Sequence, residues 1–196
     1  RLRARCELSV SPRRITPRRA ENPATVDPES RVYRCEAFEW WVTGTDSQPL
    51  PADLWAEQVT LGIPWIIAAT TEKFLPQMLA LEHLGAFSLR KGCFPGQEVV
   101  ARTHFLGRSK RHLVSLTRSA GADPLEAGSE LLSSINEPEI SGWMIADAFP
   151  ESPVALAVVT ETAPDSLHAR SAVGGCATTF VINRESTETK RDKLLN

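Results

Sequence analysis

Apolar and polar residues alternate from the first position of the chain. Leu2, Ala4, Cys6, Leu8 and Val10 share one face, and Arg1, Arg3, Arg5, Glu7 and Ser9 share the other, the period-two pattern of a half-buried strand. A strand that begins at residue 1 is expected to lie inside a domain whose start precedes Arg1. Ser11 to Ser30 carries Pro12, Pro17, Pro23 and Pro28 among polar residues, which predicts a surface connection without regular structure. Arg31 to Val42 is apolar and aromatic and runs into Thr43-Gly44, the pattern of one strand ending in a turn. Asp53 to Leu61 places Leu54, Trp55, Gln58 and Leu61 at helical spacing and meets its stop at Gly62. Phe74 to Leu84 predicts a second helix, restarting after Pro76 and ending at Gly85, and a short strand is expected over Ala86 to Leu89. A loop from Arg90 to Gly96 then leads into a helix from about Pro95 to Arg102, because proline fits a first helical turn and Gln97-Glu98 suit its positive end.

Beyond Gly107 the texture changes to short apolar runs divided by Gly, Pro, Asn and Asp. Strands are predicted over His112–Leu116, Glu130–Ser133, Ile140–Ala148, Val154–Thr160 and Ala177–Ile182, the make-up of a small antiparallel barrel or sandwich. The stretch from Arg184 to Asn196 is charged and reads as a frayed tail. The class is therefore α+β, with a first domain over residues 1–108, a barrel over 109–185 and a tail over 186–196.

Composition places the chain among ordinary globular proteins, with 42% hydrophobic and 23% charged residues. The longest apolar run, Ile63 to Ala69, is broken by Pro64 and falls far short of the ~20 residues that span a bilayer. No membrane partner is expected. The net charge of −2 hides an uneven distribution. Arg102, Arg108, Lys110, Arg111 and Arg118 make a basic belt between Val99 and Ala122 that holds no acid, and nine acids against Arg170 alone follow between Ser119 and Asn183. Most charge runs are solvated faces, so direct contact of the belt with RNA phosphates is the lesser expectation. The four cysteines, Cys6, Cys35, Cys93 and Cys176, show neither a zinc-ligand spacing nor a dense disulfide pattern. No metal site and a cytoplasmic location are expected.

One cysteine stands apart. A thiol becomes chemically useful when it is ionised and reachable, and an ammonium or a helix N-terminus nearby favours the thiolate. Cys93 follows Lys91 by two residues and precedes the predicted helix, while Gly92 and Gly96 let the backbone turn sharply and admit a flat ligand. Cys6, Cys35 and Cys176 sit in strand-like or small-residue contexts and read as small buried hydrophobes.

Lys91 to Arg102, Lys-Gly-Cys-Phe-Pro-Gly-Gln-Glu-Val-Val-Ala-Arg, resembles the K-G-C-Y/F-x-G-Q-E-x-x-x-R signature of the YgfZ family, whose fold is similar to that of the glycine-cleavage aminomethyltransferase. Gly62-Ile63-Pro64, Phe74-Leu75-Pro76-Gln77 and Gly107-Arg108-Ser109-Lys110-Arg111 resemble the family's G-I-P, F-x-P-Q and G-x-x-K-R segments. The resemblance is good over about Trp55 to Val159 and weak elsewhere. It implies a partial ferredoxin-like, folate-binding domain of the aminomethyltransferase type followed by the C-terminal barrel. It also implies tetrahydrofolate as cofactor, and iron–sulfur proteins or their assembly machinery as partners. Its expected activity is support of iron–sulfur cluster enzymes, and through them of tRNA modification.

On that resemblance Cys93 and Lys91 are the catalytic candidates, with Gly92 and Gly96 shaping their loop. Folate presents a flat pterin with a donor–acceptor edge and an anionic tail, so its site needs a carboxylate or amide, an aromatic wall and a cation. Glu98 or Gln97, Phe94 or Trp65, and Arg102 supply those types. Two departures from the family stand out. Ala80 occupies a place where relatives often carry asparagine, so a polar contact to folate is expected to be missing. The family also has roughly a hundred further residues ahead of the point matching Arg1, a domain-sized amount. An accessory role is expected over turnover catalysis. The alternatives are a folate-dependent aminomethyl or one-carbon transferase, and a non-catalytic interaction module that uses the acidic barrel.

Overall fold

The computed structural model describes residues 14–19, 31–35, 38–43, 52–90, 92–93, 96–107, 109–170 and 177–183. The strand expected over residues 1–10 and the expected frayed tail lie outside them. The chain divides into two compact units, residues 1–54 and 55–196.

The first unit holds an antiparallel sheet of β1 (Arg14–Arg19), β2 (Arg31–Cys35) and β3 (Phe38–Thr43), in the order β1-β3-β2. Two expectations change here. Arg14 to Arg19 is a strand and not a connection, with Pro17 opposite Trp40. β1 lies at the sheet edge, where one side of the backbone has no ladder to fill and proline is tolerated. Arg31 to Val42 is a hairpin and not one strand, with Cys35 opposite Phe38 and Tyr33 opposite Trp40. The two residues between Cys35 and Phe38 are Glu36 and Ala37, which carry none of the usual turn chemistry.

In the second unit the expected barrel is closed. Its strands are β4 (Arg111–Arg118), β5 (Glu130–Leu132), β6 (Ile140–Asp147), β7 (Val154–Thr160), β8 (Ser166–Arg170) and β9 (Ala177–Asn183), in the order β4-β7-β6-β5-β8-β9. β8, which sequence reasoning missed, pairs with β9 along its length and with β5 at Leu132↔His168.

Alternation decides which side each residue faces. Ala155, Ala157 and Val159 of β7 join Leu116, Met144, Leu131, Leu167 and Phe180 in the barrel interior, while Leu156 and Val158 join Leu113 and Ile145 in a second cluster outside it. A bulge between Met144 and Ala146 puts the consecutive Ile145 and Ala146 into that outer cluster. On the inner face, Gly142 leaves no room for a side chain: a Cβ there would meet the Val158 carbonyl oxygen at 2.7 Å.

The outer cluster is covered by α1 (Ala52–Thr60) and by the segment after it. Ala56, Val59 and Leu79 are buried in the cluster, and Trp55, Phe74, Met78, Ala80 and Leu81 pack against it. Residues 74–84 do not form the expected helix. Their hydrogen bonds are mostly one-turn contacts three residues apart, such as Met78 N–H to Leu75 O at 2.9 Å and His83 N–H to Ala80 O at 3.1 Å. The reason is Ala80, whose φ of 55 lies in the left-handed region. Ala80 N–H bonds to Gln77 O and Leu81 N–H to Pro76 O, the paired contacts of a Schellman stop. The same pair of contacts recurs at Gly62 and Gly85, with φ of 78 and 63. Ala86 to Leu89 is likewise not a strand, and among the described residues no strand pairs with it. No described helix is long and apolar enough to cross a membrane.

A buried ion pair ties the barrel to its cover. Asp147 accepts from Arg118 and from the N–H groups of Leu125 and Phe149, each at 3.0 Å, while its main-chain carbonyl accepts the Trp55 indole N–H at 2.8 Å. Burial holds the Arg118 guanidinium below the usual arginine range by desolvation, and among the described residues its Nε has no partner. Asp147→Ala is expected to cost about 3–5 kcal/mol in urea denaturation, because it strands a buried cation. The double variant Arg118→Met/Asp147→Leu should recover much of that loss. Ala80→Gly is expected to stabilise by about 0.5–1 kcal/mol by relieving the left-handed strain, read from the same denaturation midpoints.

Candidate functional site

The helix expected after the cysteine loop is α2 (Gln97–Leu106), longer at its C-terminal end than the expected Arg102. Its N-cap is Gly96, at φ 80 and ψ −1, so the helix starts one residue after the glycine and Pro95 precedes the cap. A Cβ at Gly96 would meet nothing within 4 Å, so the glycine answers a backbone demand and not a lack of space. No side chain caps the first turn, where Glu98 complements the positive helix end. Gly92 is not in the left-handed region and has open space around it.

Cys93 is a free, exposed thiol three residues ahead of that cap. Lys91 and Phe94, the expected catalytic partner and aromatic wall, lie outside the described residues. Glu98 and Arg102, one helical turn apart, are both exposed and share one face of α2, while Gln97 is half-buried. The opposite side is anchored through the buried Val100, whose carbonyl accepts from Gln77 Nε2 at 2.8 Å, and through His104 Nδ1, 3.5 Å from Glu82. The segment that covers the barrel therefore also carries α2. Gln77 was legible only as part of a family pattern, and its role here is to hold the helix.

Trp65, the other expected aromatic wall, is half-buried after α1. Its ring centroid lies 6.0 Å from that of Trp55 at an interplanar angle of 58°, and its indole N–H donates to Gln58 Oε1 at 2.6 Å. An indole nitrogen can only donate, so the Gln58 oxygen must face it, and among the described residues the fully buried Gln58 Nε2 has no partner. Gln58 was readable as a polar residue on the apolar face of α1, yet sequence reasoning gave it no role. Also unforeseen is the bare apolar end of α2, where Phe105 and Leu106 are 70% and 82% exposed.

Position 80 acquires a second meaning from this geometry. Asparagine, which the family pattern often places there, is the residue after glycine that best suits a left-handed helix stop. An asparagine at position 80 would therefore suit the backbone independently of any ligand.

No family model matches the chain. Among curated proteins it is similar to the tRNA-modifying protein YgfZ of Escherichia coli strain SMS-3-5, with 45% identity over 82 residues. That match covers 42% of this chain and 25% of the relative. It is similar as well to the tRNA-modifying protein YgfZ of Klebsiella pneumoniae strain 342, 45% identical over 76 residues, which are 39% of this chain and 23% of that one. The similarity is confined to a segment of 82 residues in the first relative and 76 in the second. The chain spans about a quarter of the length of the curated relatives it matches.

The glycine at the cap is the simplest point of attack on the cysteine loop. Gly96→Ala is expected to cost about 1–2 kcal/mol, since alanine gains no contact and must adopt a left-handed φ. Hydrogen exchange should locate the loss in the first turn of α2, with the barrel strands unchanged.

Proposed function

We propose that this chain is part of a YgfZ-type accessory factor that binds tetrahydrofolate and supports tRNA modification by way of iron–sulfur enzymes, with Cys93 as its reactive group. The observation that carries this reading is the exposed Cys93 thiol just ahead of a glycine-capped helix that presents Glu98 and Arg102 to solvent. The similarity to proteins named for tRNA modification supports the cellular role.

The donor set fits a folate in kind. Glu98 or Gln97 offers a carboxylate or amide for the pterin edge, and Arg102 offers a bidentate cation for the carboxylate tail. Phe94 or the Trp65 ring supplies a stacking face, with the Trp65 N–H already held by Gln58. Residues 1–108 are then a partial ferredoxin-like folate domain of the aminomethyltransferase type. Cys93, with Lys91 as its catalytic partner, meets an iron–sulfur protein or its assembly machinery in the cytoplasm. The role in this reading is accessory, with the chemistry resting on one thiol beside a bound ligand.

Two variants separate the parts. In a host lacking its own YgfZ-type protein, Cys93→Ser should fail to restore the activity of an iron–sulfur tRNA-modifying enzyme, while its tetrahydrofolate titration by tryptophan fluorescence stays unchanged. Arg102→Ala should weaken that titration about tenfold, the loss of one charge-assisted hydrogen bond. Full rescue by Cys93→Ser would overturn the thiol role, and a flat fluorescence titration of the parent would overturn the folate reading.

A further inference from the structure

The barrel carries a groove on its β5–β6 side that the folate reading does not use. Its volume is about 660 Å³, and it is lined by Gly128, Ser129, Glu130, Leu132, Pro138 and Ile140. Strand register defines how it is built. Leu131 is fully buried opposite Gly142, so Glu130 belongs to the outer face, and a register shift after Leu131 sets Leu132 opposite the exposed Ile140.

Apolar surface and negative charge coincide there. Leu132, Pro138 and Ile140 contribute an apolar strip to a groove whose lining is otherwise polar, and Ile140 is 42% exposed. Glu126, Glu137 and Glu139 on the flanking segments add to Glu130, and all four are exposed. Not one lysine or arginine occurs between Ser119 and Ala169, and among the described residues none of the four glutamates has an ion-pair partner. Trp143, the cross-strand neighbour of Glu130, carries Arg111 over its ring at 4.5 Å, so that cation is engaged by the indole. Unpaired carboxylates around a depression with one apolar strip repel one another and are relieved by a cationic partner with an aliphatic anchor.

We propose that this groove docks an extended basic segment of a partner protein. An aliphatic side chain of that segment sits on Leu132 and Ile140, and its lysine or arginine side chains meet Glu130 and the flanking carboxylates. Both β5 and β6 already have ladder partners in the closed barrel, so the contact is made by side chains on the outer face. The inference does not rest on folate binding or on Cys93.

The probe is a fluorescein-labelled nine-residue peptide with arginine or lysine alternating with leucine or valine, titrated into the whole chain by anisotropy. Saturable binding is expected, weakened about tenfold by Glu130→Lys and by Ile140→Asp. The charge-matched Glu161→Lys, at an exposed position that does not line the groove, should change it less than about twofold. Circular dichroism and thermal midpoints verify folding, and Glu137→Lys replaces Glu130→Lys if the latter fails to fold. The proposal is overturned if the peptide does not saturate, or if Glu161→Lys weakens binding as much as Glu130→Lys. It is overturned as well if sedimentation shows a dimer of the chain that Ile140→Asp dissolves, since a second copy would then occupy the groove.

Discussion

Everything in the second unit follows from a strand that is apolar on both faces. β7 sends Ala155, Ala157 and Val159 into the barrel and Leu156 and Val158 out of it, and all five are buried. The barrel interior accounts for the first set. The second needs a cover, because each large apolar side chain left in water forfeits roughly 1.5–3 kcal/mol. Ala56 and Val59 of α1 and Leu79 of the turn segment supply it. That same segment holds α2 through Gln77 and Glu82, so the position of the cysteine loop traces back to the outer face of β7.

The cover and the barrel are locked at one residue. Asp147 stands at the end of β6, just beyond the bulge that turns Ile145 and Ala146 outward. Its carboxylate gathers Arg118 and two backbone amides, and its carbonyl receives Trp55 from α1. Polar groups brought so deep must satisfy one another, and their geometry therefore restricts how α1 can lie on the barrel. Arg118 Nε, without a partner among the described residues, marks where that restriction is incomplete.

The site was legible where chemistry is local in the chain. Gly92-Cys93 and Gly96-Gln97-Glu98 could be recognised from neighbouring residues, and the helix start after the loop followed from glycine and acid placement. Roles that depend on distant partners were not legible. Trp65 was expected as a pocket wall, and its tie to Gln58 comes from the way the chain turns back after α1. Gln77 reaches Val100 across 23 residues, which no spacing rule anticipates.

The sequence alone determined the strands whose apolar runs are bounded by Gly, Pro, Asn or Asp. β4, β6, β7 and β9 lie within a few residues of their predicted limits, and α1 stops at its glycine. Tertiary structure decided the rest. β8 is a five-residue strand whose modest apolar content, Leu167 and Ala169, gains meaning only between two partners. Pro17 is acceptable because its strand falls at an edge, and Ala80 is left-handed because the segment must fold back onto the barrel. Alternation, capping and turn chemistry act over a few neighbouring residues, whereas strand order, edge position and backbone strain are set by contacts between residues far apart in the chain.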